Sequence, residues 1–447
     1  MIDADRLASL RAQEEDRFAD LHPRSAALAE QARGPLLAGV PMPWMTRWPG
    51  RFPLFFDSAA GARLTDVDGI EYVDLCLGDT GAMTGHALPQ VTSALSERAA
   101  RGITTMLPSA DAVWVGEELT RRFGLPAWQL AMSATDANRF VLRFARHLTG
   151  RPRIAVMDWC YHGTVDETLA VLEGDAVVPR PGALGPQVPV SETTAVVPFN
   201  DAEALDRRLA QGDVACLLME PALTNIGIVL PEPGYLEAVR EITRRHDVLL
   251  VIDETHTLCA GPGGATAAWG LEPDLLVVGK PIGGGVPCAA YGMSAQVRDR
   301  LTGPMLGHEI DVAGVGGTLT GNALALAAIR ATLSTCLRAE DFAVAVPLAE
   351  RFTRGVAGVI AEHGLDWHVQ QLGCRAEYWF CPPPRDGAAA AAAVDEGLEG
   401  FLHLWCLNRG VLLTPFHNMA LFSPHHTEAD VDRHTEVFGE AVAALLS

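Results

Sequence analysis

The chain has 447 residues, 49% hydrophobic and 20% charged, which excludes a disordered chain and sets an expectation of two or three domains. A formal net charge of −21 and a pI near 5.0 argue against nucleic acid as the main partner. No apolar run reaches membrane-spanning length, and Met1-Ile-Asp-Ala-Asp-Arg6 lacks a basic-then-apolar leader, so a cytoplasmic protein with no membrane partner is expected. The nine cysteines are scattered without a Cys-x-x-Cys pair and read as reduced small hydrophobes rather than a disulfide framework.

Residues 4 to 32 mix charged and apolar positions at helical spacing, giving one helix or two. Pro35 to Pro53, rich in proline, glycine and tryptophan, does not favour regular structure. Ala62–Gly69 and Glu71–Leu75 read as two strands around an Asp-Gly turn. The glycine-rich Leu77–His86 follows, then helical periodicity over 89–101 and 109–123.

From about 128 to 300, short apolar runs alternate with helical stretches. The runs are Gln129–Met132, Ile154–Met157, Ala195–Val197, Val214–Met219, Val248–Ile252, Leu275–Val278 and Cys288–Gly292, with helices at 137–148, 202–211 and 234–246. This alternation predicts a mostly parallel sheet between two helical layers. Helices near 323–335 and 345–363 come next. A smaller α+β unit ends the chain: strand Glu377–Phe380, helix 395–409, strand Val411–Leu413 and helix 428–446, capped by Thr427 with Asp430 in its first turn.

Two strand ends carry the chemistry. Lys280, after the Leu275-Leu-Val-Val278 run and before a triple glycine, is the only lysine; the other 33 of the 34 basic residues are arginine. Arginine keeps its proton, whereas a desolvated lysine can become a neutral nucleophile, so the position fits a Schiff base. Val248-Leu-Leu-Val-Ile-Asp253 ends in a carboxylate that either caps the next turn or serves as the anion of a pyridinium ring. Ser133-Ala-Thr-Asp-Ala137 opens a helix, either as an ordinary cap or as an anion site, and Tyr161 either packs in the core or stacks on a ring. Asp253-Glu-Thr-His256 and His425-His426…His434 have no zinc or iron spacing, so no metal is expected, and His425 and His426 are expected to be solvated.

Taken together, Leu64–Gly69, Asp253-Glu254, Gly279-Lys280 and Gly321-Asn322 resemble the class III aminotransferases of the fold-type I pyridoxal-phosphate superfamily, in the branch containing glutamate-1-semialdehyde aminomutase. The resemblance implies an α/β fold: a large domain (66–322) with a mostly parallel seven-stranded sheet, an N-terminal segment (1–65), and a small α+β domain (323–447) with which that segment packs. It also implies pyridoxal phosphate on Lys280, with Asp253 at the pyridine nitrogen. Ser133, Ala134 and Thr135 fall at the phosphate, Tyr161 on the ring and Thr255 on its opposite face. Glu220 and Asn225 fall near ring and substrate. Thr318 would reach the phosphate of the neighbouring subunit, which implies a homodimer with shared active sites.

For the substrate, the aminomutase pattern has an arginine where the ungapped match puts Trp44; Arg47 and Arg51 lie close by. Arg375 reads equally as a mobile carboxylate-binding arginine and as half of a surface ion pair. The expected activity is transamination from an amine, β-amino acid or ω-amino acid donor to a keto-acid acceptor. The alternatives are an aminomutase or epimerase, which consumes no acceptor, and a cofactor-binding regulator, for which no DNA-binding appendage is visible.

Overall fold

The computed structural model describes residues 2–185 and 187–447. The chain forms two compact units: Pro89–Ala339 with Pro384–Ala392, and Met1–Leu88 with Glu340–Pro383 and Ala393–Ser447.

The first unit is built on a seven-stranded sheet. In spatial order its strands are Ala127–Ala131, Ala289–Met293, Leu275–Val278, Leu249–Asp253, Val214–Met219, Arg153–Met157 and Thr194–Val197. Ala289–Met293 runs antiparallel to both neighbours, and the other pairs are parallel. All six residues of Val214–Met219 and all four of Leu275–Val278 are buried, as continuous apolar runs in a two-sided sheet must be. The sheet follows the seven apolar runs of the sequence to within a residue or two.

Helix Ala134–Thr149 shows why the covering layer forms. Ser133 caps it through the Asp136 amide, Gly150 ends it in a left-handed conformation, and Ala137, Phe140, Val141 and Phe144 form a buried stripe. Helix Ala323–Thr335 packs on Pro89–Ala99 and Asp111–Phe123, which places it in this unit rather than beyond a boundary at 322/323.

The other unit joins both ends of the chain. Strands Phe56–Ala60, Arg63–Asp66 and Glu71–Asp74 pair antiparallel, and Val411–Leu412 adds parallel to Glu71–Asp74. That pairing keeps residues up to Leu88 here and moves the division from 65/66 to 88/89. A second sheet holds His368–Leu372, Arg375–Trp379 and Met419–Leu421. Phe18, Tyr72, Leu404 and Leu407 form part of the core. Thr427 and Asp430 make a reciprocal capping box, as expected from the sequence.

Several elements were not legible. Phe56-Asp-Ser-Ala-Ala60 and His368-Val-Gln-Gln-Leu372 lack an apolar alternation strong enough to mark a strand. Helix Ala339–Glu362 starts earlier than Pro347 suggests, since proline favours a first turn but here lies inside the helix. His425 is exposed, but the expectation of a solvated His426 is corrected. It is buried, with Nε2 3.0 Å from the Asp74 carbonyl and Nδ1 accepting from the Ser423 amide at 3.0 Å.

Candidate active site

Asp253 ends its strand level with Val277 of the neighbour, and the Glu254 amide donates to the Val277 carbonyl at 2.8 Å. Lys280 therefore follows closely on the adjacent strand, at the carboxyl end of the sheet where open α/β folds bind ligands.

The Asp253 carboxylate is buried and surrounded by donors. Its Oδ2 accepts from Asn138 Nδ2 and His162 Nδ1, both at 2.9 Å, and its Oδ1 from the Thr255 amide at 3.0 Å and hydroxyl at 2.6 Å. Burial alone would raise its pKa, but His162, Thr255 and Asn138 outweigh that and hold it down to about 2. Burial would likewise lower His162, yet Cys160 and the Asp253 carboxylate carry it well above its ordinary value. Asp253 is thus a fixed anion. Glu254 beside it behaves in the opposite way: burial raises it, against bonds from Thr257 and the Ala265 and Thr266 amides. Glu254 organises the following turn.

Lys280 has φ 45°, the left-handed region that costs a side-chain-bearing residue about 1–2 kcal/mol. A lysine held there by its surroundings is the kind of local strain found at functional sites. Its Nζ lies 2.8 Å from His256 Nε2. Gly279 before it packs closely on the helix start, since a Cβ there would stand 3.0 Å from Ala134 Cβ and Ala134 would have to give way.

Ala134 and Thr135 begin the long helix, and helix geometry gives their amides no carbonyl within the helix to bond. Amides and dipole together make this terminus a fit for an anion. Thr135 Oγ1 accepts from the Thr164 amide at 3.1 Å, and Gly163, at φ 81°, lies so close that a Cβ there would collide with the Thr135 hydroxyl. Tyr161 is half-buried, with the Arg180 guanidinium 6.0 Å from its ring. Glu220 is buried and accepts from the Thr224 hydroxyl, while Asn225 donates to the Trp159 carbonyl at 3.1 Å. Thr318 is exposed on a turn after the Val312–Gly314 segment.

These residues fit pyridoxal phosphate. An amine and a fixed anion stand at adjacent strand ends, a helix terminus offers amides, and glycines keep the backbone close. His162 Nε2 is buried without a hydrogen-bond partner among the described residues, which leaves polar capacity beside the anion.

The residues expected to meet substrate lie in the other unit. Trp44 stands edge-on to Phe416, 5.5 Å between ring centres, and exposed Arg47 is 3.9 Å from a Glu396 oxygen. Arg375 is fully buried and donates to Glu377 at 3.0 Å, so the ion pair read from the sequence exists but is internal rather than at the surface.

Sequence reasoning missed Asn138, His162 and His256 as site residues. His162 follows Tyr161 directly, and His256 was weighed only as a metal ligand. Their partners lie 91 and 24 residues away in the chain. The available signal was a histidine just past a strand end that already carried a candidate.

Residues 44–355 match the model of the family described as Aminotransferase class-III. A protein described as glutamate-1-semialdehyde 2,1-aminomutase, from Sorangium cellulosum (strain So ce56), is 36% identical over 95% of this chain and 98% of its own length. A crystal structure described as a glutamate-1-semialdehyde-aminomutase from Pseudomonas aeruginosa PAO1 is 47% identical, with TM-score 0.97 and 99% of each chain covered. A variant of that protein is described in complex with PMP. An omega-transaminase from Sphaerobacter thermophilus is 28% identical, with TM-score 0.86 over 95% of this chain and 98% of its own.

Proposed function

Because this chain belongs to the class-III aminotransferase family and is a pyridoxal-phosphate enzyme, we propose that it is an aminomutase, with glutamate-1-semialdehyde as the first substrate to test. The observation that carries this over the expected transamination is the likeness to a protein described as such an aminomutase, at 47% identity against 28% for the omega-transaminase. Moving the amino group from C2 to C1 of that aldehyde makes C1 an aminomethyl carbon and C2 a ketone. Atoms balance within one molecule, and no keto acid is consumed.

Bound pyridoxal phosphate supplies an aldehyde that bonds amines reversibly and a ring that stores an electron pair. Lys280 would hold the aldehyde and, once released, carry the proton between carbons. Asp253, ionised at any ordinary pH, would keep the ring nitrogen protonated, with His162, Asn138 and Thr255 fixing its oxygens. Thr255 bonds Asp253 and would also cover the ring face opposite Tyr161. Ser133, Ala134 and Thr135 would hold the phosphate, Tyr161 would cover the ring, and Glu220 and Asn225 would border ring and substrate. In a homodimer with shared sites, Thr318 would reach the partner subunit's phosphate. Trp44 and Arg47 are the proposed substrate contacts, whereas Arg375, fully buried against Glu377, is read as the internal ion pair rather than the mobile carboxylate-binding arginine.

The test is conversion of glutamate-1-semialdehyde without any keto acid, followed by mass spectrometry of the rearranged aminoketone. Full conversion supports the aminomutase. Product that forms only as one keto acid is consumed per turnover supports the second reading, an aminotransferase with an amine, β-amino acid or ω-amino acid donor. Trp44, where the aminomutase pattern has arginine, is the observation favouring that second reading.

A further inference from the structure

We infer that His256 is a further catalytic residue, holding the proton that Lys280 carries between its two transfers. The inference rests on the reading of Lys280 as the cofactor's amine.

His256 Nε2 stands 2.8 Å from Lys280 Nζ, within hydrogen-bond distance of the chain's only lysine amine. When Nζ takes a proton from carbon, a C–H bond breaks, an N–H bond forms, and the resulting ammonium has three donors and no lone pair. A neutral imidazole accepts one of those N–H bonds at Nε2. The charge-assisted bond fixes the side chain and slows loss of the proton to water. When the proton passes on to the second carbon, the N–H bond breaks and the amine lone pair returns. The neutral amine keeps two N–H bonds and can still donate one to Nε2 with no change of imidazole tautomer, so the contact serves both states.

The carboxylates of Asp253, Glu254 and Asp136 have hydrogen-bond partners of their own. Asp253 is bonded by His162, Asn138 and Thr255, and Glu254 by Thr257 and the Ala265 amide. Asp136 is bonded to Ser133. His256 has its Nε2 within hydrogen-bond distance of Nζ. It comes from the loop directly after the Asp253 strand, so the same backbone positions the anion and the lysine's partner.

The chain's composition provides the test. With ¹⁵N-lysine labelling, the full-length protein gives one side-chain Nζ signal, since Lys280 is the only lysine. The protein is loaded with pyridoxamine phosphate, and exchange of the ζ protons with water is measured in wild type, His256→Phe and His256→Gln. Exchange should be about tenfold faster or more in His256→Phe, the factor a charge-assisted hydrogen bond carries. His256→Gln, which keeps an acceptor oxygen, should fall between. Unchanged exchange and an unmoved Nζ signal in His256→Phe would overturn the inference. If that variant does not fold, His256→Ala is judged by the same thresholds. No substrate is used, so the result does not depend on which reaction the enzyme runs. Turnover surviving in Lys280→Ala would instead remove the premise.

Discussion

Asp253 in the sheet unit and Glu377 in the other unit are both buried carboxylates held ionised by hydrogen-bonding partners, but the partners differ in kind. Asp253 is bonded by an amide side chain, a hydroxyl, a backbone amide and a histidine. Glu377 is bonded by Arg375 at 3.0 Å and faces His417 at 3.3 Å. Every partner of Asp253 is neutral or can shed its charge; Arg375 cannot. A carboxylate prepared for an incoming cation needs partners that do not neutralise it permanently. One whose task is to hold the interior is best matched by a charge that never leaves.

The widest separation between the regions should appear in activity. Lys280→Ala should lose more than about 10⁴-fold in turnover, since both the covalent partner and the proton carrier go. Asp253→Asn, which keeps the shape and removes the charge, should lose about 10²–10³-fold, the usual scale for one preorganised electrostatic contact. Steady-state rates check both, alongside a melting curve of Lys280→Ala expected to stay near wild type. Wild-type rates in Asp253→Asn would put Asp253 in the same structural class as Glu377.

Stability should show the reverse order. Glu377→Gln leaves Arg375 buried without its counter-charge and should cost about 3–5 kcal/mol in denaturant unfolding. Asp253→Asn should cost less at neutral pH, because His162 can release its proton. The acid limb sharpens the contrast. Asp253 is lowered from 3.8 to about 2, so its contribution is full above the unfolded value and lost as pH falls through 2. Asp253→Asn should therefore unfold with a shallower pH dependence between about 4 and 2. An unchanged limb would mean that His162 and Asn138 do not hold the carboxylate.

These predictions also mark what the sequence could convey. The seven strands are visible as apolar runs because a sheet buried on both faces admits little else. Asp253 and Lys280 are visible because each breaks such a run at its carboxyl end. The residues that make Asp253 a fixed anion are not, since His162 and Asn138 reach it across 91 and 115 residues and only folding brings them together. Thr255, two residues on, is the one local partner. For Arg375, the spacing to Glu377 did carry a signal. Two positions apart on a strand put both side chains on one face, but the strand was expected to start at Glu377 and in fact begins at Arg375.

The smallest effect expected comes from a buried group with no ionic partner. His434 is fully buried, its ring 4.5 Å from that of Phe352, and neither ring nitrogen has a hydrogen-bond partner among the described residues. Burial, with His403 nearby, lowers it from 6.5 to about 3, so it is neutral in the fold. Between those values the unfolded chain binds the extra proton. Stability is then full above about 6.5 and declines as pH falls toward 3. His434→Phe removes the unsatisfied nitrogens from an aromatic cluster and should stabilise by about 1 kcal/mol at neutral pH. The gain should widen on acidification, because phenylalanine has no proton to take up. Unfolding midpoints at pH near 7 and 5 measure it; an equal gain at both would place the benefit in packing and leave histidine titration without a part in the acid limb.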